Sequence, residues 1–275
     1  MDETRSFPSQ SLLTTIAVIA AIAAIFGGYY WYTHRSEAVV SPAGPPAAST
    51  SATPGPAVTA PAASTESAVM HPIDERESDH STTLEQSDAK FLDALSQVGG
   101  WRASALRLLV PTDLIRHIVA TVDALTREKL ALQTIPTKPV AGVFRVARSD
   151  RGDTIAASNE RRYEPYVAAL TSLDTAQAAA LYRHFYPLFQ QAYRDLGYPK
   201  GYFNDRLVEV IDELLEAPDP KPPIEVVAPR VMFHYVDPDL EALSPGQKIL
   251  VRVGPSNESA IKAKLREFRQ AVTTP

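Results

Sequence analysis

The chain has 275 residues, of which 45% are hydrophobic, and its 27 Lys and Arg against 32 Asp and Glu give a formal net charge of −5. This balance argues against a nucleic-acid-binding protein, which typically carries an excess of basic side chains. Because the sequence contains no cysteine, it excludes disulfide scaffolds, thiol catalysis and zinc–thiolate sites.

The first segment with a clear pattern is an apolar run near the N-terminus. No Asp, Glu, Lys or Arg occurs from residue 6 to residue 34. As a helix, residues 12–32 would be roughly 31 Å long, which is enough to cross a hydrocarbon core of roughly 30 Å. Aromatic residues 29–32 end the run, as in an interfacial belt, whereas a cleaved signal peptide would start with basic residues and end with small ones. We therefore predict an uncleaved transmembrane helix at 12–32, in contact with the lipid bilayer and preceded by a short tail, 1–11.

The predicted span also carries small residues at a helical period of four. Ala20, Ala24 and Gly28 share one face, and such a face lets two helices approach closely in lipid. This spacing predicts weak self-association of the chain, although alanine is abundant in the segment in any case.

A low-complexity stretch follows the predicted span. Residues 41–66 consist almost entirely of Pro, Ala, Ser, Thr and Gly, and several acidic residues follow between 74 and 85. Such a composition buries too little apolar surface to offset its chain entropy. We therefore predict a disordered linker over residues 33–86 and a globular domain over residues 87–275.

Helical periodicity dominates the globular domain. No βαβ rhythm or internal repeat is present, so the fold class predicted is α+β, predominantly helical, with a small antiparallel sheet. Pro187 is expected to kink or split the helix that contains it. The predicted helix starts are at the capping residues Ser87, Thr112, Asp174 (in a capping box with Gln177), Asn204 and Ser256. The predicted strands are 143–148, a short return strand after the turn at 150–153, 231–235 and 248–253.

Two strings carry a resemblance to a known family. They are LYRHFYPLFQQAYRDLGYPKGYFNDRL at 181–207 and SPGQKILVRVG at 244–254. The sequence resembles an uncharacterised family of bacterial, single-pass, membrane-anchored proteins that carry a domain of unknown function, and the resemblance covers most of residues 84–271. It implies a bacterial envelope protein with its N-terminus inside the cell, and it implies no activity, cofactor or catalytic residue.

The motifs of common enzyme classes are absent from the sequence. The globular part contains three histidines, His117, His184 and His234, without metal-ligand spacing. It has no G-x-x-x-x-G-K, G-x-G-x-x-G or G-x-S-x-G motif. We therefore predict no catalytic residue, no cofactor and no metal site.

The densest chemical signal is aromatic. Eight aromatic residues occur between 182 and 203, and at helical spacing such residues usually form a core. Tyr186, Tyr198 and Tyr202 fall off the apolar stripe or in the turn at 197–204. They are candidates for the walls of a groove that takes an extended peptide or a glycan, with Arg206 as an anion contact. Core packing is the alternative interpretation.

A second candidate site lies at the junction before the last predicted helix. Free N–H groups at a helix start can bind a carboxylate or phosphate when cations lie nearby. The candidate residues of this anion site are Arg252, Gly254, Ser256 and Lys262. Alternatively, Ser256 satisfies the helix end itself.

These patterns together favour a membrane-anchored envelope protein that is not an enzyme. Its C-terminal module would bind or scaffold a protein or cell-wall partner on the outer side of the inner membrane, with the N-terminus cytoplasmic and the domain periplasmic. The alternative is an enzyme acting on the cell wall through an unidentified site. Two carboxylates, or Asp, His and Arg, converging in one pocket would favour the enzyme.

Overall fold

The computed structural model describes residues 68–101, 103–127, 134–229 and 232–274. Within these ranges the chain forms nine α-helices and four β-strands. The helices are α1 Ser87–Ser96, α2 Ala103–Leu106, α3 Leu114–Ala124, α4 Glu160–Thr171, α5 Thr175–Asp195, α6 Phe203–Leu215, α7 Pro238–Ala242, α8 Pro245–Val253 and α9 Pro255–Thr273. The strands are β1 Val146–Ser149, β2 Gly152–Ile155, β3 Glu225–Val227 and β4 His234–Tyr235.

The four strands form one small antiparallel sheet in the order β1-β2-β3-β4. β1 and β2 are a hairpin in which Val146 pairs with Ile155 and Ser149 pairs with Gly152. β3 joins this hairpin from much later in the chain, with Thr154 opposite Glu225. The predicted fold class, predominantly helical with a small antiparallel sheet, is confirmed.

The main core is helical and rich in aromatic side chains. The C-terminal helix α9 packs against α4, α5 and α6, and α3 packs against α5. Tyr182 of α5 is fully buried at the centre. Its ring centroid lies 5.4 Å from that of Phe189, 6.4 Å from that of Phe203 and 6.2 Å from that of Phe268. One aromatic cluster therefore joins α5, α6 and α9.

A smaller apolar cluster lies between the sheet and the two helices that follow it. Val226 of β3 and Tyr235 of β4 pack with Leu240 of α7 and Val251 of α8, and all four are buried. The sheet therefore buries one face against α7 and α8.

The predicted strand 248–253 is wrong, because these residues belong to α8. Ser244 Oγ accepts from the Gln247 N–H and Gln247 Oε1 accepts from the Ser244 N–H, each at 3.4 Å, which makes a capping box before Pro245. Leu250 and Val253 contact the main core while Val251 contacts the smaller cluster. A helix that buries several faces shows a continuous apolar run, which is also the pattern of a buried strand.

Three helix starts differ from the predicted caps. α3 begins after Asp113, and the Asp88 carboxylate of α1 accepts from the Asp113 and Leu114 N–H groups at 2.8 Å each, so a neighbouring helix supplies the cap instead of Thr112. α9 begins at Pro255 after Gly254. α1 begins at Ser87 itself, after Gln86.

Two further predictions concern the middle of the chain. Pro187 does not split its helix, because Thr175–Asp195 is a single helix, α5, that contains it. Asn204 is not a cap, because it lies in the first turn of α6 and its side chain is fully buried. Its amide bonds Tyr182 Oη at 3.2 Å and the Val272 carbonyl oxygen at 3.1 Å, so it connects α5, α6 and α9.

The packed part of the chain begins before residue 87. Leu84 is 3% exposed and Thr82 is 5% exposed. The Asp79 N–H donates to the His184 carbonyl oxygen of α5 at 2.8 Å. Residues 68–86, which the composition assigned to the linker, therefore lie against the domain, since a few apolar side chains anchor an otherwise polar segment.

In the ranges that the structure describes, no helix combines the length and the apolarity needed to cross a bilayer. The predicted tail 1–11, the predicted span 12–32 and the first part of the predicted linker, 33–67, lie outside those ranges.

Candidate binding groove

A groove of about 850 Å³ lies where α5 ends and α6 begins. The turn between the two helices forms one wall, and residues 68–70 form the opposite edge. Its lining consists of Ala68, Val69, Met70, Gln190, Tyr193, Arg194, Pro199, Lys200, Gly201, Tyr202, Asp205, Arg206 and Glu209.

A buried amide fixes the shape of the groove. Gln190 is 5% exposed, and its Oε1 accepts from the Phe203 N–H at 2.9 Å and from the Tyr186 hydroxyl at 3.1 Å. Its Nε2 donates to the Gly201 carbonyl oxygen at 2.8 Å. One side chain thus hydrogen-bonds both a carbonyl group of the turn and an N–H group at the start of α6. The groove wall therefore keeps its shape without a regular hydrogen-bond ladder. Sequence reasoning missed Gln190, although a polar residue inside an apolar helical stripe is a signal for such a role.

Tyr186 does not line the groove. Its ring is fully buried, and its hydroxyl accepts from the Asn204 N–H at 3.3 Å. Burial raises the pKa of Tyr186 far above its usual range, so the side chain stays neutral. Tyr186 therefore belongs to the core beneath the groove. For this residue the alternative interpretation, core packing, is the correct one.

Tyr202 and Arg206 do line the groove. Tyr202 is half-buried, and its ring centroid lies 5.5 Å from that of Tyr186. Arg206 is held from below by Asp123 of α3, whose Oδ1 accepts from Arg206 Nε at 3.1 Å. Arg206 also donates to the Asp123 carbonyl oxygen at 2.9 Å and pairs with Glu209 at 2.9 Å.

Asp123 is the centre of a charged cluster under the groove. The residue is 5% exposed, and its carboxylate accepts from Arg127 Nε at 2.8 Å as well as from Arg206. The Tyr198 hydroxyl donates to Asp123 Oδ2 at 3.1 Å, and its ring stacks on Tyr193 at 4.6 Å. Although burial opposes its charge, Glu209 and Asp123 raise the pKa of Arg206. Tyr198 and Arg206 are thus committed to groups of the protein, and Arg206 is not positioned to take up an incoming anion.

Two other cations lie on the exposed rim of the groove. Arg194 lies in the last turn of α5 and Lys200 in the turn that follows, and both side chains are exposed. Within the described residues neither has an ion-pair partner at 4.0 Å or less. These two cations, rather than Arg206, are positioned to meet a negatively charged ligand.

The groove edge at 68–70 continues into a segment of irregular backbone, residues 70–73, which we call the strap. The Asp205 carboxylate accepts from the Met70 N–H at 3.0 Å and from the His71 N–H at 2.7 Å. Asn204 Nδ2 donates to the His71 carbonyl oxygen at 2.9 Å, and the Ile73 N–H donates to the Tyr202 hydroxyl at 2.8 Å. Side chains at 202–205 therefore bind four main-chain groups of the strap.

The predicted anion site is not assembled. Arg252 is 3% exposed, donates to the Phe233 carbonyl oxygen at 2.9 Å and lies over the Tyr235 ring at 5.0 Å. Lys262 pairs with Glu258 at 2.6 Å. Both cations are therefore engaged with different groups of the protein.

The space beside the backbone of that junction is also occupied by a side chain of the protein. Gly254 precedes α9 with φ of 91°, and a Cβ there would clash with the side chain of Glu160. Ser256 is exposed in the first turn of α9. A carboxyl side chain of the protein itself thus lies at the helix start where an anion was predicted.

No metal site is found in the described residues. No three His, Asp or Glu side chains converge there on a common point. The Glu241 carboxylate accepts hydrogen bonds from the Tyr235 N–H at 2.9 Å and from Lys248 Nζ at 3.1 Å. It also lies 3.1 Å from His234 Nδ1. Burial opposes the charge of Glu241, but these hydrogen bonds lower its pKa. The cluster lies outside the groove and ties β4 to α7 and α8.

A second cleft, of about 540 Å³, lies between α2 and α4. Its lining is small and uncharged: Gly100, Ser104, Ala105, Leu108, Pro165, Ala168, Ala169 and Ser172. It offers a shape but no charged group to orient a ligand.

A comparison with family models decides what the chain is related to. The model described as "Protein of unknown function (DUF3014)" matches residues 114–269. The chain belongs to this family. The match runs from α3 into α9, so DUF3014 includes the sheet, Asp123 and the α5–α6 wall of the groove, while the strap precedes it. The predicted resemblance to an uncharacterised family is confirmed, and neither a curated protein nor a solved structure matches the chain significantly.

Proposed function

We propose that the domain is a binding module that holds an extended polypeptide segment of a partner in the groove. The observation that carries this proposal is the set of four main-chain contacts to the strap. Asp205, Asn204 and Tyr202 bind N–H and C=O groups rather than side chains. Groups that bind backbone are suited to an extended peptide, because its main-chain donors and acceptors are otherwise unsatisfied.

The charge of the rim supports an acidic partner segment. Arg194 and Lys200 are exposed beside Tyr202, and a guanidinium forms strong, oriented hydrogen bonds with a carboxylate. Aromatic and Arg side chains are also the residues that most often dominate binding energy at interfaces. A peptide with one Asp or Glu near its bound backbone fits this arrangement better than a neutral glycan.

We further propose that this module works from a membrane anchor. The sequence supports this through the uncharged run at 12–32 and the Pro- and Ala-rich residues that follow it. In this proposal residues 12–32 cross the inner membrane, the N-terminus is cytoplasmic and the domain is periplasmic. Protease added to osmotically opened cells should then digest the domain. Protection until detergent dissolves the membrane would reverse the orientation.

The binding function is tested by crosslinking in cells with the full chain. The double variant Arg194→Glu, Lys200→Glu should lose the crosslinked partner, because it reverses the charge of the rim without changing a buried side chain. Arg266→Glu is the matched control, since Arg266 is exposed on α9 outside the groove. An unchanged crosslink in the double variant would refute the groove as the binding site.

Two carboxylates, Asp205 and Glu209, do line the groove, as the alternative of a cell-wall enzyme requires. Asp205 accepts from two N–H groups of the strap and Glu209 pairs with Arg206, so both are engaged with the protein and we do not propose the enzyme.

A further inference from the structure

We infer that the strap is a built-in competitor for the groove: residues 70–73 occupy the backbone-binding side chains that a partner peptide needs. This inference rests on the proposed function and names its regulation. Asp205 uses both carboxylate oxygens on the strap, and the Tyr202 hydroxyl and the Asn204 amide are engaged there as well. A partner that binds these groups must therefore displace the strap.

The strap is attached in a way that allows it to leave. It has no helix or strand, and three of its four main-chain contacts are single hydrogen bonds to side chains of 202–205 that are only partly buried from solvent. The Met70 side chain is 71% exposed, and Ile73 is the one strap residue that packs on the main core. A segment with few apolar contacts and exposed hydrogen bonds opens at low free-energy cost.

The residues after the strap are attached separately. Ser78 Oγ donates to the Arg183 carbonyl oxygen at 2.7 Å, and the Asp79 N–H donates to that of His184 at 2.8 Å. Leu84 is buried a few residues later. The Glu77 carbonyl oxygen also lies 2.9 Å from His184 Nδ1, so only the exposed residues 74–76 lie between the two attachments. The strap can therefore detach while residues 77–86 stay in place.

Tethering determines how strongly the strap competes. A segment joined to its site by a short connection has an effective concentration of about millimolar. A free peptide with the same contacts binds with an apparent affinity reduced by the fraction of protein in which the strap is open. Weakening the strap should therefore strengthen binding of a peptide in trans.

The experiment measures binding of a fluorescein-labelled peptide AVMHPIDE, a copy of residues 68–75, to the full-length protein by fluorescence anisotropy. Met70→Pro removes the N–H that donates to Asp205 and leaves α6 untouched, and we expect it to bind the peptide about tenfold more tightly than the wild type. Met70→Ala is the matched control, because it loses the same exposed side chain and keeps the N–H. Its affinity should equal that of the wild type.

A second strap variant and a groove variant make the outcomes decisive. Ile73→Ala removes the apolar anchor of the strap and should also tighten binding. Adding Asp205→Asn to Met70→Pro should weaken it again. If the wild type, Met70→Pro and Ile73→Ala bind the peptide with equal affinity, the strap does not compete for the groove, whereas the groove remains the peptide-binding site. Binding by none of these proteins, or binding unaffected by Asp205→Asn, would overturn both.

Discussion

Asp123 is the residue on which the charged side chains of α3 and α6 converge. Its carboxylate meets Arg127 and Arg206 while the side chain itself is 7% exposed. Removing one partner of a buried ion pair leaves the other charge uncompensated. We expect Asp123→Ala to lower the free energy of unfolding by about 3 kcal/mol.

The matched control uses the same guanidinium. Glu209 also pairs with Arg206, but its side chain is 66% exposed. An exposed ion pair contributes about 0–1 kcal/mol to stability. Glu209→Ala should therefore lower the free energy of unfolding by less than Asp123→Ala does. Urea denaturation of both variants measures the difference, and equal losses would contradict the assignment of Asp123 as the buried centre.

Phe203 and Tyr202 are neighbours with opposite roles. Phe203 is fully buried and its ring stacks on Phe189 at 5.8 Å. Phe203→Ala should cost roughly 3–5 kcal/mol. Tyr202→Phe loses one hydrogen bond to the strap and should cost about 1 kcal/mol. Thermal melts compare the two, and a larger loss for Tyr202→Phe would place Tyr202 in the core instead of the groove.

Asp79 makes stability depend on pH. Hydrogen bonds from the Ser81 and Thr82 hydroxyls, which outweigh its partial burial, lower the pKa of Asp79 below its ordinary value of 3.8. A lowered pKa in the folded state stabilises the fold above that ordinary value, and this stabilisation is lost as the pH falls below about 4. The wild type should therefore be more stable than Asp79→Asn from pH 5 to 7, and the gap should close in acid. A gap that does not change with pH in urea denaturation would contradict this role.

At the scale of the element, α8 depends on a glycine at its second position. Gly246 is buried, its N–H donates to the Leu125 carbonyl oxygen at 2.9 Å, and a Cβ would lie 3.0 Å from that oxygen and would clash with Leu214. Alanine normally stabilises a helix by about 1 kcal/mol over glycine. Here we expect Gly246→Ala to lower the free energy of unfolding by about 1–3 kcal/mol, because the cost of overpacking exceeds the gain from the higher helix propensity of alanine.

Gly99→Ala is the control for that prediction. Its added Cβ would meet the flexible end of the Gln177 side chain, at 3.1 Å from Oε1. The urea midpoint of Gly99→Ala should stay close to that of the wild type. A stabilised Gly246→Ala would show that α8 has room to move.

The helices were predictable where local signals agreed, and the errors have physical causes. The α5 cap at Asp174, whose side chain accepts from the Gln177 N–H, follows from the sequence. α8 was misassigned because its run of Ile, Leu and Val suits a buried strand, although Ser244 and Gln247 signal a helix start. Asn204 looked like a cap, and only tertiary structure places its amide between α5 and the last helix.

The candidate site was predictable only in part for a related reason. Tyr202 follows from the sequence because turn aromatics must be buried or displayed. Arg206 and its partner Asp123 are 83 positions apart in the sequence. The strap and its partners are more than 120 positions apart. No local pattern encodes such pairs.

At the scale of the whole molecule, the domain boundary has a direct consequence for fragments. A fragment of residues 87–275 lacks Leu84, which is 3% exposed, and Ile73, which packs on the main core. Loss of a buried leucine typically costs about 2–5 kcal/mol. We expect the fragment 68–275 to be more stable than 87–275 by at least about 3 kcal/mol in urea denaturation. Equal midpoints would show that residues 68–86 add nothing to the fold.

The separation in sequence between the strap and its partners sets an order of events during protein synthesis. The strap contacts residues that are 129 to 135 positions later in the chain. A ribosome that adds about 5–20 residues per second needs roughly 7–25 s to cover that distance. α9, which completes the core around Asn204, emerges later still. The strap must therefore wait until translation is nearly finished before its partners exist, and this N-terminal attachment closes among the last steps of folding.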